Sequence, residues 1–274
     1  MRYEIRELSL GGILDQAITL LKNHFGVLFS IVAFTVLPVW LIIAVAQLVL
    51  LPPPPTVIPP DIEELMAYAE AAEEHAPLLN GLNLLMLIAG PISNAALVHA
   101  IAKSFLGERA TAGGAIGTAF TKFFPLIWTW ILVVAAIMGG MILLIIPGII
   151  AAFWFSLATQ VVVVEGVSGF KAMGRSREIM RGNIGAYFVL GLCLGIIGFF
   201  TGLGVQFIPQ HHVRMFLPIL VQSVMTIFGS AAVVVFYFSA RCRNEQFDLH
   251  LLAENIGSAP AEAPADDEVF SPEG

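Results

Sequence analysis

Charge is scarce in this sequence. Asp, Glu, Lys and Arg make up 12% of its 274 residues, against 58% hydrophobic ones, and a soluble domain carries about twice that charged fraction. Uncharged stretches cover 25–51, 123–164 and 182–210. Each is long enough to cross a hydrocarbon core about 30 Å thick, which argues against a soluble all-α protein with buried helices. Cysteine is scarcer still. Cys193 lies inside an apolar run and Cys242 just after another, so no disulfide framework is available. The first 24 residues mix acids, bases and polar groups without a short apolar core or a small-residue cleavage site, and do not read as a removable signal peptide. The net charge of −7 comes from acids gathered in one loop and the tail, which is not the pattern of a nucleic-acid binder.

What is present organises itself around six apolar spans, at about 25–51, 82–102, 124–146, 149–165, 184–207 and 215–240. Pro147 and Gly148 separate the third from the fourth and predict a tight hairpin there, because one helix of 42 residues would overshoot any bilayer. The cations then sort by side. Arg2, Arg6 and Lys22 precede span one; Lys103, Arg109 and Lys122 lie between spans two and three. Lys171, Arg175, Arg177 and Arg181 lie between spans four and five, and Arg241 and Arg243 follow span six. If the spans alternate, only Arg214 falls on the other side. Positively charged loops stay in the cytoplasm, so both termini are expected there.

The outer loop 52–81 opens on prolines and continues into an acidic stretch. Asp61 is placed to cap a short helix with Ile62, Leu65, Met66 and Ala69 along one side; such a loop either covers an outward-facing cavity or rests, solvated, on the membrane surface. The tail 255–274 is rich in Ala, Pro and acids and is expected to be disordered.

Three segments leading into spans resemble one another. Ser9, Thr111 and Ser168 each stand where a helix cap belongs, followed by glycine and, about a dozen residues on, a basic residue or Asn with an aromatic. In the first, Leu10, Ile13, Leu14, Ala17, Ile18 and Leu21 share a face; in the second, Ala115, Ile116, Ala119, Phe120 and Phe123; in the third, Phe170, Met173, Ile179 and Met180 spread more widely. Such helices are expected to lie in the membrane interface with apolar sides in the acyl chains. The fold class is therefore all-α: a polytopic domain over 1–254 with six transmembrane helices in three hairpins, each preceded by a cytoplasmic interfacial amphipathic helix.

"LSLGGILDQAITLLKNHF", "VVVVEGVSGFKAMGRSREIMRGN" and the span-six exit "YFSARCRNEQFDLHLL" together resemble the glycerophosphoryl diester phosphodiesterase membrane-domain family, over roughly 8–252. Where this sequence has Glu245-Gln246-Phe247-Asp248, that family tends to have glycine at the second position. The resemblance implies a six-span domain of the bacterial cytoplasmic membrane. Some relatives join this region to a catalytic barrel. Fewer than forty residues follow the last span here, too few for a barrel, so no enzymatic activity is expected from the chain.

The spans themselves hold little chemistry. None has an Asp, Glu, Lys or Arg near its middle, where ion-coupled machinery would place one. Their polar residues are Gln47, Asn94, His99, Gln160, Gln206 and Gln222. Asn94, Gln160 and Gln222 are the candidates for a polar path, should the protein be a transporter or channel for an amphipathic or lipid-like solute. His211 and His212 are adjacent and lack the partners and spacing of a closed metal site, and no cofactor motif occurs. Gly191, Gly195, Gly198 and Gly202 line one face of span five, for packing within the chain or for a homo-oligomer seam.

The expected role is lipid-facing and structural or accessory, with Lys22, Lys122, Lys171, Arg175, Arg177 and Arg181 contacting anionic headgroups. Glu165 ends span four, where helix carbonyls already present partial negative charge. A charge clasp to Arg241, with Arg175 and Arg177 as further available cations, would answer it and tie the second hairpin to the third.

Overall fold

The computed structural model describes residues 6–52, 61–206 and 211–245. Among them every regular element is helical: α1 Leu10–Thr35, α2 Leu37–Leu50, α3 Ile62–Leu84, α4 Met86–Phe105, α5 Ala112–Thr121, α6 Phe123–Leu143, α7 Ile145–Trp154, α8 Ala158–Gln160, a π-helical turn Val161–Glu165, α9 Phe170–Met180, α10 Ile184–Gln206 and α11 His211–Glu245. Six stretches are helical, long and apolar enough to cross a bilayer: 10–35, 62–105, 123–143, 145–165, 184–205 and 216–245. This is a multi-pass membrane fold.

α1 joins the first amphipathic segment to the first span, with a kink at His24, whose backbone leaves helical geometry. Pro38 in the first turn of α2 lacks the N–H a continuous ladder needs. Val36 stays right-handed and accepts from the Trp40 amide at 3.0 Å, so the rod is interrupted rather than reversed. Residues 62–84, in the segment expected as an outer loop, are helical. Asp61 caps α3 as its sequence suggests, accepting from the Glu63 amide at 3.2 Å, but α3 runs for 23 residues and continues into α4 through Leu85, itself right-handed. The prolines at 53–60, the exit residues after Glu245 and the tail lie outside the described residues.

The amphipathic helices pack against protein rather than lie wholly in lipid. Ile13, Ala17 and Leu20 are fully covered, with α1 packed on α4, α5 and α11; Ile18 alone of the expected face is exposed. Ala115 and Ala119 of α5 are buried while Phe120 faces out, and in α9 Met173, Ile179 and Met180 are buried while Phe170 faces out. Sequence periodicity finds an apolar face without saying whether lipid or protein covers it. Caps follow two of the three expected residues. Ser9 accepts from Gly12 N and Thr111 from Gly114 N, each at 3.3 Å. Ser168 caps nothing: α9 begins after Gly169, which takes a left-handed φ of 64° and donates its N–H to Thr129 Oγ1 at 2.7 Å.

The turn between spans three and four falls at Leu144, three residues before Pro147, which lies in the first turn of α7. Gly148 matters for space. A Cβ on Gly140 would meet Gly148 Cα at 2.9 Å, and one on Gly148 would meet the Met141 amide nitrogen at 2.8 Å. Gly148→Leu should therefore splay the hairpin and cost about 1–3 kcal/mol. The purified variant should melt at lower temperature than wild type, whereas Gly139→Ala, with nothing within 4 Å of its Cβ, should not.

Candidate functional site: a ring of charge where three elements meet

The π-helical turn ends at Glu165, and Gly166 then takes a left-handed φ of 75° to release the chain toward α9. The Glu165 carboxylate is largely covered, with 17% of its side chain exposed. Arg175 of α9 reaches it through Nε at 3.0 Å from Oε2 and 3.3 Å from Oε1. From α11, the Tyr237 hydroxyl donates to Oε1 at 2.6 Å and Arg241 Nε stands 3.8 Å from the same oxygen. Glu245, one turn beyond Arg241, accepts from its Nε at 3.1 Å and pairs with Arg175 Nη2. Two acids and two arginines thus alternate in a closed ring. Glu178 adds a further carboxylate, 3.0 Å from Arg175 Nη1. Burial works against the Arg175 charge; hydrogen bonds to Glu165 and Glu178, with the charges of Glu165 and Glu245, more than offset it and raise its pKa above the ordinary arginine value.

The expected clasp between Glu165 and Arg241 is present as the longest side of this ring. Its shortest contacts to Glu165 come from Tyr237, which sequence reasoning missed, and from Arg175. One signal was available: Tyr237, Arg241 and Glu245 recur every four residues and so share one face of α11.

α9 is held from its other side by Ser176. Span four breaks at residues 155–157 between α7 and α8, leaving helix-end groups without intrahelical partners. The buried Ser176 hydroxyl donates to the Trp154 carbonyl at 2.8 Å and accepts from the Leu157 amide at 3.2 Å. Lys122 does similar work at the end of the same span, donating to the carbonyls of Val163 at 2.6 Å and Val162 at 3.5 Å. Its partial burial lowers its pKa. Lys122 and Arg175, both expected at headgroups, thus have partners within the protein.

The remaining cations of that set are exposed. Lys22, Lys171 and Arg181 form no ion pair or hydrogen bond among the described residues. Arg177 stacks on Trp154, its guanidinium carbon 4.1 Å from the ring centroid. Arg177 and Arg181, one turn apart, line a recess of about 340 Å³ with Trp154, Gly174 and Glu178; a Cβ on Gly174 would meet nothing within 4 Å.

The proposed polar path does not assemble. Asn94 and Gln222 are exposed on the outside of the bundle, whereas Gln160 is buried with its Oε1 unpartnered. Their helical phases send them to different surroundings. No group of three or more metal-binding side chains occurs among the described residues. The side chains of Gln206, His211 and His212 lie outside those described. Gly191, Gly195, Gly198 and Gly202 are exposed with no neighbour for an added Cβ, so none of the described helices packs into that face.

Comparison of the chain with family models, curated proteins and solved structures gives no match. The fold and the geometry above define it as a multi-pass helical membrane protein.

Contacts in the ring predict unequal couplings. In double-mutant cycles read by thermal unfolding in detergent, Glu165→Gln with Arg175→Met should give a coupling of about 1–3 kcal/mol, larger than Glu165→Gln with Arg241→Met. Tyr237→Phe alone should cost about 1.5–3 kcal/mol, as expected for a shielded hydrogen bond to a charged acceptor.

Proposed function

We propose that this protein is a non-catalytic member of the glycerophosphoryl diester phosphodiesterase membrane-domain family. In this reading it resides in the bacterial cytoplasmic membrane with both termini inside, and serves a structural or accessory role by engaging anionic lipid headgroups. The observation that carries the reading is the division of labour among the cations. Arg175, Arg241 and Lys122 satisfy carboxylates and helix-end carbonyls inside the protein. Arg177 and Arg181 stay outside that network and share a recess with Trp154. A guanidinium stacked on an indole keeps its N–H edges available for phosphate oxygens, and tryptophan favours the headgroup level of a bilayer. Each cation near an anionic surface contributes about 1 kcal/mol. The transport alternative draws no support from Asn94 and Gln222, which face outward.

The reading is tested with the protein in nanodiscs of mixed phosphatidylglycerol and phosphatidylcholine. Native mass spectrometry after release should find phosphatidylglycerol retained in preference. Arg177→Ser/Arg181→Ser should reduce that preference about tenfold or more while leaving the melting temperature near wild type. Equal retention of both lipids by wild type, or an unchanged preference in the double variant, would contradict it. The orientation has its own readout in a Cys193→Ala background. Cys242 is buried and is a poor reporter from either side. A cysteine replacing exposed Lys171 should resist impermeant thiol reagents in intact cells, while one replacing Ala67 should react.

A further inference from the structure

The tip of the α6–α7 hairpin is the most exposed apolar segment of the described chain. From Ile142 to Ile146 the residues are 69–81% exposed, and between Phe123 and Phe155 the only polar side chain is Thr129. A tip emerging into water or headgroups would be expected to carry polar side chains, as 62–84 does in this same protein.

Two contacts limit how far the tip can reach. Phe153, near the end of α7, packs edge-on against Tyr187 and Phe188 at the start of α10, with ring centroids 6.4 and 6.0 Å apart. Beyond that contact α7 has only residues 145–152, which climb at most about 12 Å at about 1.5 Å per residue. α10 continues from Phe188 to Gln206, roughly 27 Å further. The tip therefore stops ~15 Å short of the far end of α10, about half a hydrocarbon core. α6 sets a second limit. Its Thr129 binds the Gly169 amide at the foot of α9, and residues 130–143 rise at most about 21 Å above it, against about 34 Å for the whole of α10. The polar reference level is fixed by Asn183, which immediately precedes α10 and is hydrogen-bonded to Asn244 at 3.3 Å.

We infer that α6 and α7 form a re-entrant hairpin, entering and leaving on the basic side, whose tip lies among acyl chains near the bilayer midplane. Length and composition suffice for either arm to cross; the height of the packing contacts is what limits them. Both ends of the hairpin remain on one side, so the sorting of cations is unaffected. Free backbone groups are costly in hydrocarbon, and the turn confines the break in the helical ladder to one residue, leaving the unpaired groups of two helix ends. Leu144 is its only non-helical residue and donates to the Gly140 carbonyl at 3.0 Å. Pro147 has no N–H to leave unpaired, and the glycine pair at 140 and 148 brings the two backbones into contact. The occupant of this surface is lipid: the chain ends of the leaflet on the basic side, continuous with the exposed apolar face along α6. The inference rests on residence in a bilayer and not on the headgroup reading.

The test is depth-dependent quenching. In a Cys193→Ala/Cys242→Ala background, Leu144→Cys and, separately, Ile146→Cys carry a fluorescent label in phosphatidylcholine vesicles, with Ala67→Cys as an aqueous reference. Lipids brominated at the chain ends should quench both tip labels at least twofold more than lipids brominated near the headgroup. Aqueous iodide on either side should leave them unquenched while quenching the label at position 67. Strong quenching of either tip label by iodide, or equal or stronger quenching by the shallow bromines, would overturn the inference. Two reporters ensure that one disturbed substitution does not decide the outcome.

Discussion

A carboxylate at the carbonyl end of a helix, shielded from most solvent, is the constraint around which this protein is arranged. Glu165 adds negative charge where the preceding helical turns already present it. Left alone, such a shielded charge would destabilise the local fold. Here a tyrosine hydroxyl and two guanidinium groups answer it, and Glu245 balances the second positive charge. Because those partners belong to α9 and α11, satisfying one side chain fixes three elements relative to one another. Lys122 completes the arrangement by binding the carbonyls of Val163 and Val162, just before Glu165. Removing one partner of a shielded pair costs more than the pair contributes by existing, so the ring specifies geometry more than it adds stability.

The distribution of burial follows from the same centre. The 62–105 and 216–245 helices have 44% of their most apolar stretch buried, while α6 and α10 have 11%. The core gathers where α1, α4 and α11 meet, around Leu28, Ile31, Leu97, Ile101 and Phe238. α6 and α10 are left as outer helices whose apolar surface belongs to the solvent of the bilayer. In water this would be an aggregation hazard. In lipid it is the ordinary condition of a peripheral helix, and packing there relies on close contact rather than on hydrophobic burial.

Much of this was legible in the sequence because the bilayer imposes crude and strong rules. Runs of uncharged residues give the apolar helices, Ser9, Thr111 and Asp61 give helix starts, and Glu165 draws attention as a carboxylate in an unfavourable place. What stayed hidden depended on contacts between distant segments. Ser168 looked like a cap, but the Gly169 amide is taken by Thr129, forty residues earlier. Lys122 and Lys171 look alike in sequence, yet one reaches carbonyls and the other solvent. Residues 62–84 combine acids, alanines and apolar residues, and their helicity owes as much to continuity with α4 as to their own pattern. Tyr237 reads as one more aromatic in an apolar run; its spacing from Arg241 and Glu245 is the one local clue, and the carboxylate its hydroxyl meets lies 72 residues away.

The central claim is that the answer to Glu165 holds α9 in place. Hydrogen–deuterium exchange on Glu165→Gln in detergent reads this directly. Removing the charge should make the amides of residues 170–180 exchange about tenfold faster or more, the equivalent of roughly 1.4 kcal/mol of local opening free energy, while those of α4 remain as protected as in wild type. Unchanged protection of α9 in that variant would contradict the account.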